Sequence, residues 1–351
     1  MTNIASIRNP AKLLEGMELK EGWTVGPLLP KNPQSTGGTF CQCYRVVAET
    51  GRQGFLKALD FEAAFERGTD FIEKITVLFN FERDLLAECG QKRMDRVVRA
   101  IGSGSVYPDP TNRFDLVPYL IFEVADADIR LHLDKSGDSQ SLPWKLRALH
   151  HVATGLKQLH SADIAHQDLK PSNVLVFYVQ NILLVSKIAD LGRASKSGVA
   201  SPYDEDRWAG DRSYAPPEIL YSYLDPDWSR RRIAADLYML GGLMSFIFLQ
   251  TTSIATLLQA LPIHFWPGNW GQSYEDVKPY LINAFSLNAA SFEAQLPPKL
   301  RVDLVPVYEM LCNPDPLKRI PSGVPINKNS LERILSKLDL IASRAEAGRY
   351  N

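Results

Sequence analysis

One short stretch, HQDLKPSNVLV at residues 166–176, places three polar groups of different chemistry within six residues. Asp168 is a carboxylate that can serve as a general base, Lys170 is a cation, and Asn173 offers a neutral oxygen ligand. Transfer of a phosphoryl group from a nucleotide needs a base that orients the attacking hydroxyl, metal ions that hold the phosphates and a cation that offsets developing charge. The stretch therefore predicts phosphoryl transfer, with His166 as a packed structural residue.

A second carboxylate follows in ADLGR at residues 189–193, where Asp190 comes twenty-two residues after Asp168. Magnesium in such sites binds one or two carboxylates together with phosphate oxygens. Asp190 and Asn173 fit this preference and are the predicted metal ligands. Taken singly, each aspartate is also compatible with an ordinary loop or a turn cap, and only the order of all the groups favours the chemical interpretation.

Strand patterns dominate the region from about Trp23 to Glu123, with one or two helices. TFCQCYRVVAE (39–49) and GFLKAL (54–59) have strand composition and flank a predicted tight turn. Residues 71–89 repeat apolar side chains at a helical period. Two further strands are predicted at RVVRAIGSGS and DLVPYLIFEV.

Helical patterns dominate from Leu142 onwards. Ser141 is placed to cap a helix with Pro143 in its first turn, and this helix ends just before the HQDLKPSN stretch. Near the C-terminus, Asn329 and Glu332 have capping-box spacing ahead of an apolar helix.

HQDLKPSN resembles the HRDLKPxN catalytic loop of eukaryotic-type serine/threonine protein kinases, and DLG resembles their DFG. GFLKAL resembles the VAIK strand, which implies that Lys57 contacts the α- and β-phosphates of ATP. YAPPEIL, DLYMLGG and NPDPLKRIP resemble three later kinase segments. They imply a structural pair of Glu218 with Arg319 and a backbone anchor at Asp236. All six segments follow the kinase order between about residues 23 and 322.

The resemblance implies an α+β, two-lobed protein kinase-like fold. Its β-rich N-lobe would hold a five-stranded antiparallel sheet with one main helix, its C-lobe would be mostly helical, and ATP with Mg²⁺ would lie in the cleft between them. A protein substrate is the implied partner. The implied domains are an N-terminal extension (1–22), the N-lobe (23–125), the C-lobe (126–322), and a C-terminal helix and tail (323–351).

The resemblance also assigns residues to the nucleotide. Glu82 is the predicted helix partner of Lys57, and the sequence leaves Glu73 open as the alternative. The remaining implied contacts are the gatekeeper Phe122, the adenine hinge at residues 123–125 with Glu123 and Ala125, and the ribose ligand Asp128.

The nucleotide-covering loop departs from the family pattern. TGGTFCQC at residues 36–43 aligns with GxGxxGxV, yet only Gly38 falls on a motif glycine, and Gly37 is extra. Glycines let backbone N–H groups approach phosphates closely. Gly37 and Gly38 are therefore expected to cover the phosphates, with weaker ATP binding than the full motif gives.

Gln167 stands where an arginine usually precedes the catalytic aspartate and pairs with a phosphate in the activation loop. Glutamine has no charge for that contact, so we predict that activity does not strictly depend on activation-loop phosphorylation. Asp211 replaces a threonine, and its carboxylate is predicted to pair with Lys170 or to raise the pKa of Asp168. Candidate autophosphorylation sites in this loop, about residues 193–213, are Ser195, Ser197, Ser201, Tyr203 and Ser213.

The composition predicts a globular protein of two lobes or domains, since 45% of its 351 residues are hydrophobic and 23% are charged. The net charge of −1 gives no sign of a nucleic-acid partner. The basic run at residues 230–232 is interpreted as a solvated face. The aromatic segment at residues 262–298 is interpreted as core or lobe surface, with a docking site as the alternative.

The four cysteines form no CxxC pair and have no histidine at zinc-finger spacing, so neither a zinc site nor a disulfide framework is indicated. The N-terminus lacks the apolar region of a signal peptide. LYMLGGLMSFIFLQ, which begins at Leu237, is interrupted too early for a membrane span and predicts a buried core helix. We therefore expect a cytoplasmic protein with no membrane partner.

Two other functions stay open at this point. A small-molecule phosphotransferase of the aminoglycoside or choline kinase type shares the aspartate and the asparagine, but usually carries HxDLHxxN and lacks the APE-like segment. A pseudokinase is favoured by the altered glycine loop and by Gln167. It is disfavoured because Lys57, Asp168, Asn173 and Asp190 are all present.

Overall fold

A computed structural model of the chain describes residues 9–30, 40–65, 67–136, 141–179, 183–204, 208, 210–320, 323 and 325–350. Two compact units divide the chain. The first comprises Met1–Arg93 and Val98–Ala125, and the second comprises Met94–Val97 and Asp126–Asn351. Strands predominate in the first unit and helices in the second, which confirms the α+β class. The four-part domain division stays a prediction.

The first unit contains a six-stranded antiparallel sheet. Its strands are β1 (Glu18–Leu19), β2 (Trp23–Leu28), β3 (Cys41–Ala48), β4 (Gln53–Leu59), β5 (Ala100–Val106) and β6 (Val117–Phe122), in the order β1-β2-β3-β4-β6-β5. Five strands were expected, and β1 is the additional one. It pairs with β2 because the segment before it packs on the sheet: Ala11 and Leu14 are buried, and the Tyr44 hydroxyl donates to the Ala11 carbonyl at 2.7 Å.

Two helices accompany this sheet, α1 (Glu62–Phe65) and α2 (Thr69–Gln91). Ile75, Phe79 and Leu86 of α2 are buried, and their spacing of four and seven residues defines one face of a helix. The predicted helix at residues 71–89 is confirmed.

The second unit contains a three-stranded sheet, a two-stranded ladder and eight α-helices among its described residues. The strands are β7 (Ala127–Asp128), β8 (Ile164–Ala165), β9 (Val174–Val179), β10 (Leu183–Ile188) and β11 (Ser195–Lys196). The helices are α3 (Ile129–Ser136), α4 (Leu142–Ser161), α5 (Pro217–Leu220), α6 (Ala234–Leu249), α7 (Ser253–Gln259), α8 (Tyr274–Ala294), α9 (Pro298–Leu311) and α10 (Glu332–Glu346). Strand β9 lies between β10 and β7, and β8 pairs with β11.

Helix α6 forms the centre of the second unit. It follows a π-helical turn at Ser229–Ile233, and the combined segment Ser229–Leu249 is long and apolar enough to cross a membrane by length and composition. In this structure 83% of its 18-residue apolar stretch is buried. Side chains on all sides of α6 are buried, which confirms the predicted core helix.

The N-terminal cap of α4 is the predicted one, because the Ser141 hydroxyl accepts a hydrogen bond from the Trp144 N–H at 3.4 Å. The capping box predicted for α10 is wrong, since Leu331 precedes its first residue and no side chain caps it. The side chains of Asn327 and Ser330 form hydrogen bonds within the turn before the helix. Asn327 Oδ1 accepts from the Asn329 N–H, and Ser330 Oγ accepts from the Asn327 N–H.

The aromatic segment packs both against itself and against neighbouring residues of the second unit. The Phe265 ring stacks on Tyr280 with centroids 4.1 Å apart and contacts Trp270 at 5.4 Å. The Tyr221 hydroxyl donates to the Phe265 carbonyl at 2.6 Å. These contacts fit the interpretation as core or surface packing, while Tyr280 itself is exposed.

Candidate active site

The β9–β10 hairpin brings the two halves of the sequence motif together. Val174 pairs with Ile188, so the residues just outside the ladder are neighbours. The Ala189 N–H donates to the Asn173 carbonyl at 2.8 Å. Asp190 follows with a left-handed backbone (φ 64°), and its Oδ1 accepts from the Gly192 N–H at 3.3 Å. The hairpin register therefore places the two predicted metal ligands at one end of the same element.

Asp236, in the first turn of α6, holds the backbone of the loop at residues 166–173. Its Oδ2 accepts from the His166 N–H at 2.8 Å, and its Oδ1 accepts from the Gln167 N–H at 2.9 Å. The His160 Nε2 lies 2.9 Å from the same carboxylate. Asp236 is fully buried. The structure thus contains the anchoring contact that the resemblance implied.

The carboxylate of Asp168 is buried and fixed in direction. Its Oδ1 accepts from the Asp211 N–H at 2.7 Å, and its Oδ2 accepts from Asn173 Nδ2 at 3.1 Å. The Lys170 Nζ lies 3.0 Å from Oδ2. Lys170 and Asn173 thus each lie within hydrogen-bond distance of the Asp168 carboxylate, as their spacing in one loop allows.

Burial raises the pKa of the Asp168 carboxyl above its ordinary value. The ammonium of Lys170 and the N–H of Asp211 lower this pKa, while the charge on Asp190 raises it. Asp211 contacts Asp168 through its backbone N–H, and an effect of the Asp211 carboxylate on this pKa stays a prediction. The side chain of Asp211 takes the other predicted role, with Oδ2 at 3.7 Å from Lys170 Nζ.

The donor set at Asn173 and Asp190 fits a magnesium ion. Asn173 Nδ2 is engaged by the carbonyl oxygen of Asp168 at 2.8 Å and by its side chain. The amide therefore presents its oxygen as the group for a cation. The described part of the chain holds no cluster of three or more His, Cys, Asp or Glu that could bind a metal. A set of one carboxylate and one amide suits Mg²⁺, which completes its shell with phosphate and water oxygens.

Strand β4 points Lys57 away from the core of the first unit. Leu56 and Ala58 are fully buried, and side chains alternate along a strand, so Lys57 faces the opposite side. Its Nζ lies 3.7 Å from Glu82 Oε1 of α2 and 5.6 Å from the centre of the Phe122 ring. The alternative partner, Glu73, is exposed. Of the two predicted candidates, Glu82 therefore forms the ion pair with Lys57.

The predicted hinge and ribose residues have structural contacts of their own. The Glu123 N–H donates to the Arg99 carbonyl at 3.2 Å, and Glu123 Oε1 accepts from the Arg99 N–H at 2.9 Å. Asp128 Oδ1 accepts from the Leu131 N–H at 2.8 Å and so caps α3. The nucleotide roles of Glu123, Ala125 and Asp128 stay predictions. Gly37 and Gly38 lie outside the described residues.

Glu218 and Arg319 form a bidentate ion pair inside the second unit. Arg319 Nη1 and Nη2 donate to Glu218 Oε1 and Oε2, each at 2.6 Å, and the two side chains are 0% and 6% exposed. This pair joins α5 to the segment after α9, and it is the pair that the resemblance implied.

Two contributors to the loop escaped the sequence interpretation. A Cβ at Gly210 would overlap the Gln167 carbonyl oxygen and lie 3.1 Å from Asp168 Oδ1, so this glycine permits a close approach of two backbones. Arg232 belongs to the run interpreted as a solvated face, but it is 2% exposed and contacts Gln167. That interpretation is wrong for Arg232, and Arg230 alone of the run is exposed.

A family model described as protein kinase domain matches residues 37–256. The chain belongs to the protein kinase domain family. The matched range contains Lys57, the 166–173 catalytic loop, Asp190 and Asp236.

This protein kinase domain is also similar to named protein kinases. It is 31% identical over 160 residues to mitogen-activated protein kinase 5 of Oryza sativa subsp. indica, covering 44% of this chain and 41% of that protein. It is 26% identical over 208 residues to mitogen-activated protein kinase 17 of Arabidopsis thaliana, covering 56% of this chain and 40% of that one. Cyclin-dependent kinase 1 of Encephalitozoon cuniculi is 31% identical over 134 residues, with 35% and 42% covered. The kinase domain thus spans about two fifths of the length of these relatives.

Proposed function

We propose that this protein kinase domain transfers the γ-phosphoryl group of ATP to serine or threonine hydroxyls of protein substrates. The observation that carries the proposal is the arrangement around Asp168. This buried carboxylate is held by the Asn173 amide and the Asp211 N–H, with the Lys170 ammonium 3.0 Å away. A base, a cation and a neutral metal ligand on one rigid loop are the parts that phosphoryl transfer requires.

In the proposed reaction Asp168 orients the substrate hydroxyl and accepts its proton. The hydroxyl oxygen forms a bond to the γ-phosphorus, the bond from phosphorus to the bridging oxygen breaks, and ADP leaves with the electron pair. Lys170 offsets the negative charge on the transferred group. Lys57, held by Glu82, is assigned to the α- and β-phosphates.

Asp190 and the amide oxygen of Asn173 are the proposed ligands of magnesium, which supplies charge neutralisation at the phosphates when it is bound. The backbones of both residues adjoin the β9–β10 hairpin. The Asn173 carbonyl there accepts a hydrogen bond from the N–H of Ala189, the residue before Asp190, at 2.8 Å.

The comparisons favour a protein substrate over the two alternatives. The relatives are named mitogen-activated and cyclin-dependent protein kinases, and Lys170, two residues after Asp168, follows the serine/threonine pattern. We also propose a cytoplasmic location, which is supported by the spacing of the four cysteines in the sequence, since it indicates no disulfide framework. Imaging of a fluorescent fusion tests the location.

Asp168→Asn tests the proposed function. The substitution keeps the size and a hydrogen-bond acceptor but removes the base, so ATP-dependent phosphorylation of a protein substrate should fall roughly 10²- to 10⁴-fold. Binding of ATP, measured by calorimetry, should persist. Asp303→Asn, at a surface ion pair with Arg344, is the matched control and should leave the rate unchanged. Equal rates for wild type and Asp168→Asn, or phosphate found only on tyrosine or on a small molecule, would overturn the proposal.

A further inference from the structure

The amide of Gln167 is completely occupied by buried partners. Its Nε2 donates to the Arg232 carbonyl at 2.9 Å and to Asp236 Oδ1 at 3.1 Å, and its Oε1 accepts from Arg232 Nη1 at 3.2 Å. Gln167 is 0% exposed and has a left-handed backbone with φ 67°. Both the amide nitrogen and the amide oxygen of Gln167, next to Asp168, are thus hydrogen-bonded, and the oxygen is bonded to the Arg232 guanidinium.

Arg232 carries this contact onward to another segment. It lies in the π-helical turn before α6, and its Nη2 is 3.4 Å from both the Tyr203 carbonyl and Asp204 Oδ1. Its side chain is only 2% exposed. A buried guanidinium is costly without a counter-charge, and Asp204 is the carboxylate that supplies one. The planar fork of arginine lets one side chain bind Gln167 and Asp204 at once.

Asp204 in turn fastens its own segment. Its Oδ1 accepts from the Ser195 hydroxyl at 3.1 Å, and its Oδ2 accepts from the Ser201 N–H at 2.8 Å. The Ser195 hydroxyl also accepts from Trp228 Nε1 at 3.1 Å. The Asp204 carboxylate therefore bonds to residues 195 and 201 of its own segment and to Arg232 in the turn before α6.

Two of the candidate phosphorylation sites are buried in this segment. Ser195 and Ser201 are 1% and 8% exposed, and both take part in the hydrogen bonds around Asp204. Ser197 and Ser213 are exposed, and in the part of the chain that the structure describes no hydrogen bond or ion pair joins either of them to Arg232. The charge that faces Arg232 belongs to an aspartate of the chain.

We propose that Arg232 is a positioning residue for the phosphotransfer reaction: it links the catalytic loop, through Gln167, to residues 195–204, through the carboxylate of Asp204. From the turn before α6, Arg232 supplies the positive charge that the residue before Asp168 lacks. Asp204 supplies a permanent negative charge, so the link forms without phosphate. This inference rests on the proposed protein kinase function and names a determinant of its rate.

The link predicts a defined kinetic change for Arg232→Gln. Loosening of the catalytic loop misplaces Asp168 during the chemical step, and misplacement by about 1 Å costs up to roughly 100-fold in rate. We therefore expect kcat to fall about 10- to 100-fold while KM for ATP stays within about twofold. Asp204→Asn should lower kcat in the same way, and it replaces a side chain that is 34% exposed. Loss of folding is therefore less of a concern for Asp204→Asn.

The decisive variant exchanges the two residues, Gln167→Arg with Arg232→Gln. The exchange keeps one guanidinium and one amide at the 167–232 contact, so it should recover most of the kcat that Arg232→Gln loses. Arg231→Gln, the same substitution one position earlier, is the control and should leave kcat unchanged. All proteins are treated with phosphatase before assay, and wild type should keep its kcat through this step. Thermal unfolding is recorded for every variant.

Each outcome has a defined meaning. Recovery in the exchanged protein, with losses in Arg232→Gln and Asp204→Asn, supports the link. Unchanged kcat in the folded Asp204→Asn protein, an exchanged protein no faster than Arg232→Gln, or a wild type inactivated by phosphatase would overturn it. If the wild-type protein transfers no phosphate to a protein substrate, the proposed function itself is overturned. This failure can be told apart from failure of the link, because it appears in the wild type alone, before any variant is compared.

Discussion

Replacing Arg319 by methionine is predicted to destabilise the second unit far more than a change at a surface ion pair. The guanidinium donates to Glu218 twice at 2.6 Å. It also donates to the carbonyls of Asn313 at 2.9 Å, Ala234 at 3.0 Å and Pro314 at 3.3 Å. These contacts use all five of its N–H groups. Methionine keeps much of the volume but leaves a carboxylate and three carbonyls without their donors.

The size of the effect follows from this contact set. Removing one partner of a buried ion pair costs about 3–5 kcal/mol, because the remaining charge is buried without compensation. Each buried carbonyl left without a donor adds to this cost. We therefore expect the free energy of unfolding to fall by about 5 kcal/mol, the upper end of that range. For a unit of this size 1 kcal/mol lowers Tm by about 2–4 °C. Arg319→Met should therefore unfold about 10–20 °C below wild type.

Differential scanning calorimetry measures this difference. Arg344→Met is the matched control, because Arg344 pairs with Asp303 at 2.7 Å but is 44% exposed, and such pairs contribute about 0–1 kcal/mol. The double variant Glu218→Gln/Arg319→Met should be more stable than Arg319→Met alone, since it leaves no buried charge. If Arg319→Met and Arg344→Met unfold at the same temperature, the reasoning about buried charge fails.

Two further predictions concern the rate. Glu82→Gln should lower kcat/KM for ATP roughly tenfold or more, because Lys57 loses a charged partner. Glu73→Gln should leave kcat/KM unchanged. Both values are measured by varying the ATP concentration, and an equal loss in the two variants would contradict the assignment of Glu82. In the pH profile of kcat/KM, the acid limb should lie above the ordinary carboxyl pKa of about 4. Burial raises the pKa of Asp168, and the base is lost as falling pH protonates it. Lys170→Met should move this limb to still higher pH, because the ammonium lowers that pKa, and an unmoved limb would contradict the assigned cause.

Contacts within one short loop could be predicted from the sequence. The five residues from Asp168 to Asn173 leave few backbone paths, and the observed hydrogen bond at 3.1 Å joins their side chains. Glu82 could also have been chosen over Glu73 from the sequence. Glu82 falls three residues after the buried Phe79 and four before the buried Leu86, so helical periodicity places it on the inward face.

Contacts between distant segments could not be predicted in this way. Gln167 and Arg232 are 65 residues apart, and nothing in a run of three arginines shows which of them is buried. The hydrogen bond from Asp211 to Asp168 could not be predicted for a related reason, because the sequence gives the side chain and the contact is made by the backbone N–H. Strand β1 is two residues long, too short for any alternation of side chains to appear.

The packing of the first residues against the sheet determines where this chain tolerates shortening. A version starting at residue 37, where the family match begins, would lose Leu14, Trp23 and Val25 from the cluster that contains Tyr44. Their partners would become an open apolar surface prone to self-association. Crystallisation or screening material should therefore retain the chain from Asn9, whose amide bonds Asp60 at 3.0 Å, even though these residues carry no part of the catalytic loop.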